Sequence, residues 1–191
     1  MQLTDAIGHA EVAEDFFRGL SAGQRVTGSL VVSESGDFQD QQGGSKNLGG
    51  ETDLRWLISL RRRAEVVVTS GKTFRVENYR MPKAADLAVF SRSPLDTSGL
   101  VIKPEQQVLW LGNEQATNYV SAVNHLLEFG YKQIHIEFGP TGIAELLQAK
   151  FDFALWLSSE STSGLDTASG KLGCEIYKLC KIDNLWLAAA R

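Results

Sequence analysis

Four short stretches carry residue types that could do chemistry. After the alternation Ile134, His135, Ile136, Glu137, Phe138 comes Gly139-Pro140-Thr141-Gly142, and Ile143, Leu146, Leu147 and Phe151 then recur at helical spacing. A strand therefore feeds a helix through a tight glycine turn. Helix N-termini carry unpaired N–H groups and partial positive charge, and glycines let an anion approach the backbone, so this turn is a candidate phosphate cradle; the alternative is a plain connection. Ser70-Gly71-Lys72-Thr73 closes a second strand. It fails as a P-loop, because that motif needs a glycine where Val66 stands inside the strand and a helix after Thr73, where the pattern shows none. Ser91-Arg92-Ser93 closes a third strand, and Ser33 to Phe38 forms a turn that brings polar side chains to the end of the first.

The elements that must position these turns follow from periodicity. Strands are expected over Arg25–Val32, Glu65–Thr69, Asp86–Phe90, Gln107–Leu111, Gln133–Phe138 and Phe153–Leu157. The β-branched run Val66-Val67-Val68-Thr69 suits a strand buried on both faces of a parallel sheet. Leu54, Leu57, Ile58 and Leu60 give a helix over residues 51–63, and Ala116 to Leu127 give another that stops at Gly130. That helix and its flanking strands form a βαβ unit with parallel strands. Thr4 or Asp5 can cap an N-terminal helix bearing Ala13, Phe16, Phe17 and Leu20. Gln39–Gly50, with four glycines, is expected to be a surface loop, and loops of this length are often functional. Ser158–Gly173, rich in Ser, Thr and Gly, is expected to be a long exposed loop, and Cys174–Lys181 with Leu185–Arg191 an antiparallel hairpin around Asp183-Asn184. The sum is an α/β sheet, mostly parallel, with an antiparallel edge.

Composition narrows the function classes. A chain of 191 residues with 43% hydrophobic content buries a real core as one domain. A net charge of -4 argues against nucleic acid as a partner. The one basic run, Arg61-Arg62-Arg63, falls at a helix C-terminus and is expected to be solvated there. Cys174 and Cys180 are spaced like neither a zinc site nor a redox pair and, with three scattered histidines, point to reduced thiols and no metal. No stretch reaches the roughly 18 apolar residues that span a bilayer, and the N-terminus lacks a leader pattern, so the expectation is a soluble, cytoplasmic protein with no membrane partner.

Taken together, the first-strand turn, the polar glycine loop, GGETDLRWLISLRRRAEVVVTSGKT, the Ser-Arg after the next strand and IHIEFGPTGIAELLQAKFDFALWLS resemble, in order and spacing, the dihydrofolate-reductase-like family. Within it, the likeness is to the C-terminal reductase domain of the bifunctional deaminase-reductase of riboflavin biosynthesis, over roughly residues 25–191. The resemblance implies a three-layer fold with a mostly parallel central sheet, a C-terminal antiparallel hairpin and helices on both faces. It implies a single reductase-like domain over residues 1–191, residues 1–24 being an N-terminal helical extension packed on it. It further implies a homodimer that binds NADPH and reduces a small heterocyclic substrate, a pyrimidine of the riboflavin-precursor kind or a pterin-like ring, by hydride transfer. Carried over, Gly71 and Thr73 contact the cofactor, Ser91 and Arg92 meet its adenosine end, where a guanidinium can pair with a 2′-phosphate, and Gly139, Pro140 and Thr141 hold the pyrophosphate. Lys46 lies in the loop that lines the substrate pocket in relatives, where it could meet a substrate phosphate.

Three positions depart from the family pattern. Where relatives carry Asp-Gly-Lys or Asp-Gly-Arg, the aspartate facing the substrate, this chain has Ser35-Gly36-Asp37, and a serine cannot hold the charge that orients a base. The usual double glycine of the cofactor turn is Phe138-Gly139, whose ring is expected to narrow the pyrophosphate site, and the later Asp-Glu pair is Asp152-Phe153. The proton that must accompany a hydride has Asp37, Lys46, Glu137 or water as its candidate sources, and the sequence does not choose among them. The lost aspartate also motivates an alternative, a catalytically degenerate nucleotide-binding or regulatory paralogue.

Overall fold

The computed structural model describes residue 23, residues 25–112 and residues 114–191; the N-terminal helix expected before Gly23 lies outside the described residues. An eight-stranded sheet runs through the middle. In chain order its strands are β1 (Val26–Val31), β2 (Val66–Ser70), β3 (Asp86–Phe90), β4 (Val108–Leu111), β5 (Ile134–Glu137), β6 (Ala154–Ser159), β7 (Ile176–Ile182) and β8 (Leu185–Ala190). Across the sheet the order is β4-β3-β2-β5-β1-β6-β8-β7. The six strands from β4 to β6 are mutually parallel, and β8 and β7 close the far edge as an antiparallel hairpin. Asp183, at φ 52, makes its turn. The strands flanking the expected βαβ helix, β4 and β5, are parallel, with β3 and β2 between them.

Helices cover both faces because the parallel strands are apolar on both. The helices are α1 (Gly50–Arg61), α2 (Gly71–Val76), α3 (Tyr119–Phe129), α4 (Gly139–Gln148) and α5 (Thr162–Leu172). Val66, Val68, Ile134, Ile136 and Leu155 point to one face, where Val123, Leu126, Ile143, Leu146 and Leu165 of α3, α4 and α5 meet them. On the other face Trp56 and Leu60 of α1 pack on Ala154, Trp156 and Leu187, while Phe74 of α2 packs on Val67, Leu87 and Val89. Gly28 lets α4 close on β1: a Cβ there would lie 3.1 Å from the Ile143 Cδ1.

Two local expectations are corrected. Residues 162–172 are a helix, not a loop. Leu165, Ala168 and Leu172 form its buried stripe, and burying that stripe outweighs the weak helix propensity of a Ser/Thr/Gly-rich segment. Its Gly164 packs so closely on the turn after β1 that a Cβ would come within 2.3 Å of the Ser33 carbonyl oxygen. A short helix also follows β2, where the pattern showed none: Ser70 accepts from the Thr73 N–H and caps α2. Six residues are too few for a helical period to show in sequence.

Candidate active site

The parallel strands end together beside α1, and a cavity of about 550 Å³ opens there. Its floor is built by Ser29 and Val31 of β1, Ser158 of β6 and Glu137 of β5; Asp53, Trp56 and Arg61 of α1 form one wall. Lys72, Thr73 and Val76 of α2, with Tyr79, also line it, and the start of α4 enters through Gly139 and Pro140. The loop from Phe38 to Lys46 covers it.

A buried ion pair anchors the floor. Arg61 donates from Nε and Nη2 to the two oxygens of Glu137, both at 2.7 Å, and the Tyr79 hydroxyl donates to Glu137 Oε2 at 2.6 Å. The guanidinium also lies 5.0 Å from the centre of the Tyr79 ring. Burial alone would push the Glu137 carboxyl up, but the charge and hydrogen bonds of Arg61 outweigh it and hold the group below its ordinary range. For Arg61, burial opposes its charge and Glu137 more than restores it. Burial, reinforced by Glu137, pushes the Tyr79 hydroxyl well up. Arg61 is thus no solvated helix terminus: its side chain is 22% exposed and spent on Glu137. Glu137 is an ionised acceptor and carries no proton to give at neutral pH.

His135 is fully buried next to this pair. Its Nδ1 shares a hydrogen bond with the Thr27 hydroxyl at 2.9 Å and its Nε2 with that of Ser29 at 3.0 Å. Burial pushes its pKa down to about 4, so the ring is neutral.

The carboxyl that sequence reasoning missed is Asp53. It stands in the first turn of α1, lines the cavity, and accepts from the Ser158 hydroxyl at 2.5 Å. Burial raises its pKa and the Glu137 charge adds to the rise, with the Ser158 bond opposing. In sequence Asp53 looks like an ordinary acidic residue favouring a helix N-terminus. The one available signal is the glycine pair before it: a Cβ on Gly49 would meet the Asp53 Cβ at 2.4 Å, so the loop backbone closes down on the carboxyl.

The residues singled out in sequence divide into two groups. Lys46, Thr73, Glu137, Gly139 and Pro140 line the cavity. Thr73 Oγ1 lies 3.9 Å from where a Gly139 Cβ would stand, which brings the two glycine turns side by side. Gly139 has φ 76, and no side chain caps α4, unlike α3, whose Asn118 and Ser121 form a capping box. The Phe138 ring does not narrow the turn: it is 3% exposed and packs on Tyr119 at 4.7 Å, on the face of the sheet that α3, α4 and α5 cover. Gly71, Ser91, Arg92 and Thr141 are not among the residues that line it. Ser91 is buried against Gly71, where a Cβ would meet its Oγ at 2.4 Å, and donates to the Ser93 carbonyl at 2.8 Å; Arg92 and Thr141 are exposed. Ser35 and Asp37 are not among the lining residues. Asp37 accepts from Ser35 at 2.7 Å and pairs with Lys171 of α5 at 2.8 Å, and these hydrogen bonds, Lys171 first, lower its pKa. Cys174 and Cys180 are both free. Among the described residues no group of three or more His, Cys, Asp or Glu is placed to hold a metal, and no helix is long and apolar enough to cross a membrane.

This architecture is the dihydrofolate-reductase-like fold. Among solved structures it is similar to a pyrimidine reductase-like protein from Corynebacterium diphtheriae, with TM-score 0.66, 18% identity, 88% of this chain and 91% of that one covered. It is also similar to a riboflavin biosynthesis reductase of Saccharomyces cerevisiae, with TM-score 0.56, 12% identity and coverages of 88% and 89%. A third is a diaminohydroxyphosphoribosylaminopyrimidine deaminase/5-amino-6-(5-phosphoribosylamino)uracil reductase from Thermotoga maritima, with TM-score 0.56 and 17% identity; the alignment covers 95% of this chain and 60% of that one. No known family profile matches the chain, and no curated protein sequence is similar to it.

Proposed function

We infer that this protein is an NADPH-dependent reductase of a flat nitrogen heterocycle, a pyrimidine of the riboflavin-precursor kind or a pterin-like ring. The observation that carries the reading is the meeting, in one cavity, of an uncapped helix N-terminus at Gly139 and Pro140 with a half-buried carboxyl of raised pKa, Asp53. The first suits the phosphates of a dinucleotide, the second a proton transfer beside a reduced ring. The fold shared with reductase domains supports the same conclusion.

The residues present fit a nicotinamide nucleotide. Backbone N–H groups at the start of α4 would hold the pyrophosphate beside Thr73, and Arg92, exposed past the end of β3, would meet the 2′-phosphate. Bound there, the nucleotide supplies a hydride. The protein orients the substrate ring against Phe38, which also excludes water. Asp53 delivers the proton, held in position by Ser158. Asp37 is ionised against Lys171, and Glu137 is ionised against Arg61, so neither competes for that role. A cytoplasmic homodimer completes the reading; light scattering tests its stoichiometry.

The second reading, a nucleotide-binding relative without catalysis, is favoured by Ser35 standing where relatives carry the substrate aspartate and by the pinning of Asp37 to Lys171. Titration with NADPH and NADH, followed by tryptophan fluorescence, comes first. Saturable binding that prefers NADPH, with the preference lost in Arg92→Ala, supports the cofactor assignment. Oxidation of NADPH with one of a panel of pyrimidinone, pterin and flavin-precursor substrates then supports the reductase, and binding without turnover supports the second reading.

A further inference from the structure

Thr27, His135 and Ser29 form a hydrogen-bonded chain that ends at the cavity. The His135 ring is fully buried between the two hydroxyls, and Ser29 lines the cavity floor. A neutral imidazole has one N–H and one acceptor nitrogen, so the nitrogen that holds the proton decides which way both hydroxyls donate. Two features fix it. Thr27 Oγ1 lies 2.9 Å from Nδ1 and 3.5 Å from the Ile134 carbonyl oxygen. A hydroxyl has one proton to give and the shorter contact takes it, so Nδ1 accepts and the N–H is at Nε2. Glu137 Oε1, whose carboxylate is ionised against Arg61, stands 3.8 Å from Nε2, and its negative charge favours a proton there. Nε2–H therefore donates to Ser29 Oγ at 3.0 Å. The Ser29 proton cannot then go to the ring, and among the described residues Ser29 Oγ has no second hydrogen-bond partner.

We propose that Ser29 is a specificity-determining residue of this cavity: its hydroxyl, set as a donor by His135, selects a heterocycle that presents a carbonyl oxygen or an unprotonated ring nitrogen to it. A ring presenting an amino group or a ring N–H at that place is disfavoured, because two donors would face each other and neither would be paired. His135 does not touch the ligand. It is a positioning residue, and Thr27 sets its tautomer. Accepting from Nε2–H also polarises the Ser29 O–H and strengthens the bond it gives. The choice of a heterocycle rests on the reductase reading above, whereas the direction of the Thr27–His135–Ser29 chain does not depend on it.

Nitrogen-15 NMR of the whole protein reads the tautomer without any ligand. With His9→Gln and His125→Gln, His135 is the one histidine left, so its signals need no assignment. The expected spectrum has Nδ1 as the acceptor-type nitrogen and Nε2 as the N–H. An N–H at Nδ1 overturns the proposal, because Ser29 would then donate to the ring and offer the cavity only an acceptor. Calorimetry next compares pterin with 2,4-diaminopteridine, which differ in carrying a carbonyl or an amino group at one ring position. The natural protein should bind pterin roughly tenfold more tightly, and in Ser29→Ala the two rings should bind equally. A preference that Ser29→Ala leaves unchanged, or no preference in the natural protein, overturns the recognition role. If neither ring binds to the folded protein, the reductase reading fails and the choice of ring with it, while the NMR result still decides the direction in which Ser29 donates.

Discussion

Acidification from pH 7 to pH 5 is expected to destabilise the fold by about 2 kcal/mol through one side chain, His135. The ring is 0% exposed, lies in a central strand, and satisfies both nitrogens with the hydroxyls of Thr27 and Ser29. Burial places its pKa in the fold at about 4 against an ordinary 6.5. An unfolded chain therefore takes up a proton as the pH falls through 6.5, and the folded chain does so only near 4. The contribution is complete above pH 6.5 and falls by roughly 1.4 kcal/mol per pH unit below it, reaching a loss of roughly 3 kcal/mol near pH 4. Restricting the comparison to pH 7–5 keeps it clear of ordinary carboxylate titration. Urea unfolding followed by tryptophan fluorescence at pH 7, 6 and 5 should show the decline in the natural protein. In His135→Gln, which keeps an amide near the same hydroxyls but cannot titrate, the decline should be smaller by about 2 kcal/mol. Equal slopes in the two proteins would refute a neutral buried ring.

Breaking the ion pair from one side should be costly: Arg61→Met or Glu137→Gln should each lower unfolding stability by about 3 kcal/mol, and the double variant should lose less than the sum, measured as a double-mutant cycle in urea. Gly164→Ala should cost about 1–3 kcal/mol, because the new Cβ would come within 2.3 Å of the Ser33 carbonyl oxygen; an unchanged thermal midpoint would mean that α5 does not press on that turn. Asp53→Asn should lower turnover of an identified substrate roughly a hundredfold or more with NADPH affinity unchanged, and should remove the alkaline limb of the pH–rate profile, where a proton donor loses its proton; loss of affinity without loss of turnover would assign Asp53 to binding instead.

Much of the framework was legible because its signals are local. The β-branched run of β2, the alternation of β5 and the apolar stripes of α1, α3 and α4 each occupy a few adjacent turns or strand residues. The segment 162–172 shows where this fails. Its Ser, Thr and Gly content signals a loop, and the helix exists because Leu165, Ala168 and Leu172 find a sheet face to cover. The stripe was present in the sequence, but weak propensity masked it. For α2 the missing signal was length, and Ser70 as its cap was the only mark.

What the sequence by itself determined is the alternation of strands and helices and the glycine turns at strand ends, since periodicity and backbone freedom are properties of neighbouring residues. Tertiary structure alone decided the chemistry of the cavity. Arg61 meets Glu137 across 76 positions of chain, and Asp53 meets Ser158 across 105. Both pairings depend on α1 lying over the ends of β5 and β6. The shift in each pKa comes from desolvation and from partners distant in sequence, which composition and spacing do not encode. Whether a carboxylate is solvated, as at Asp37, or half-buried in the cavity wall, as at Asp53, is settled only when the layers close around it.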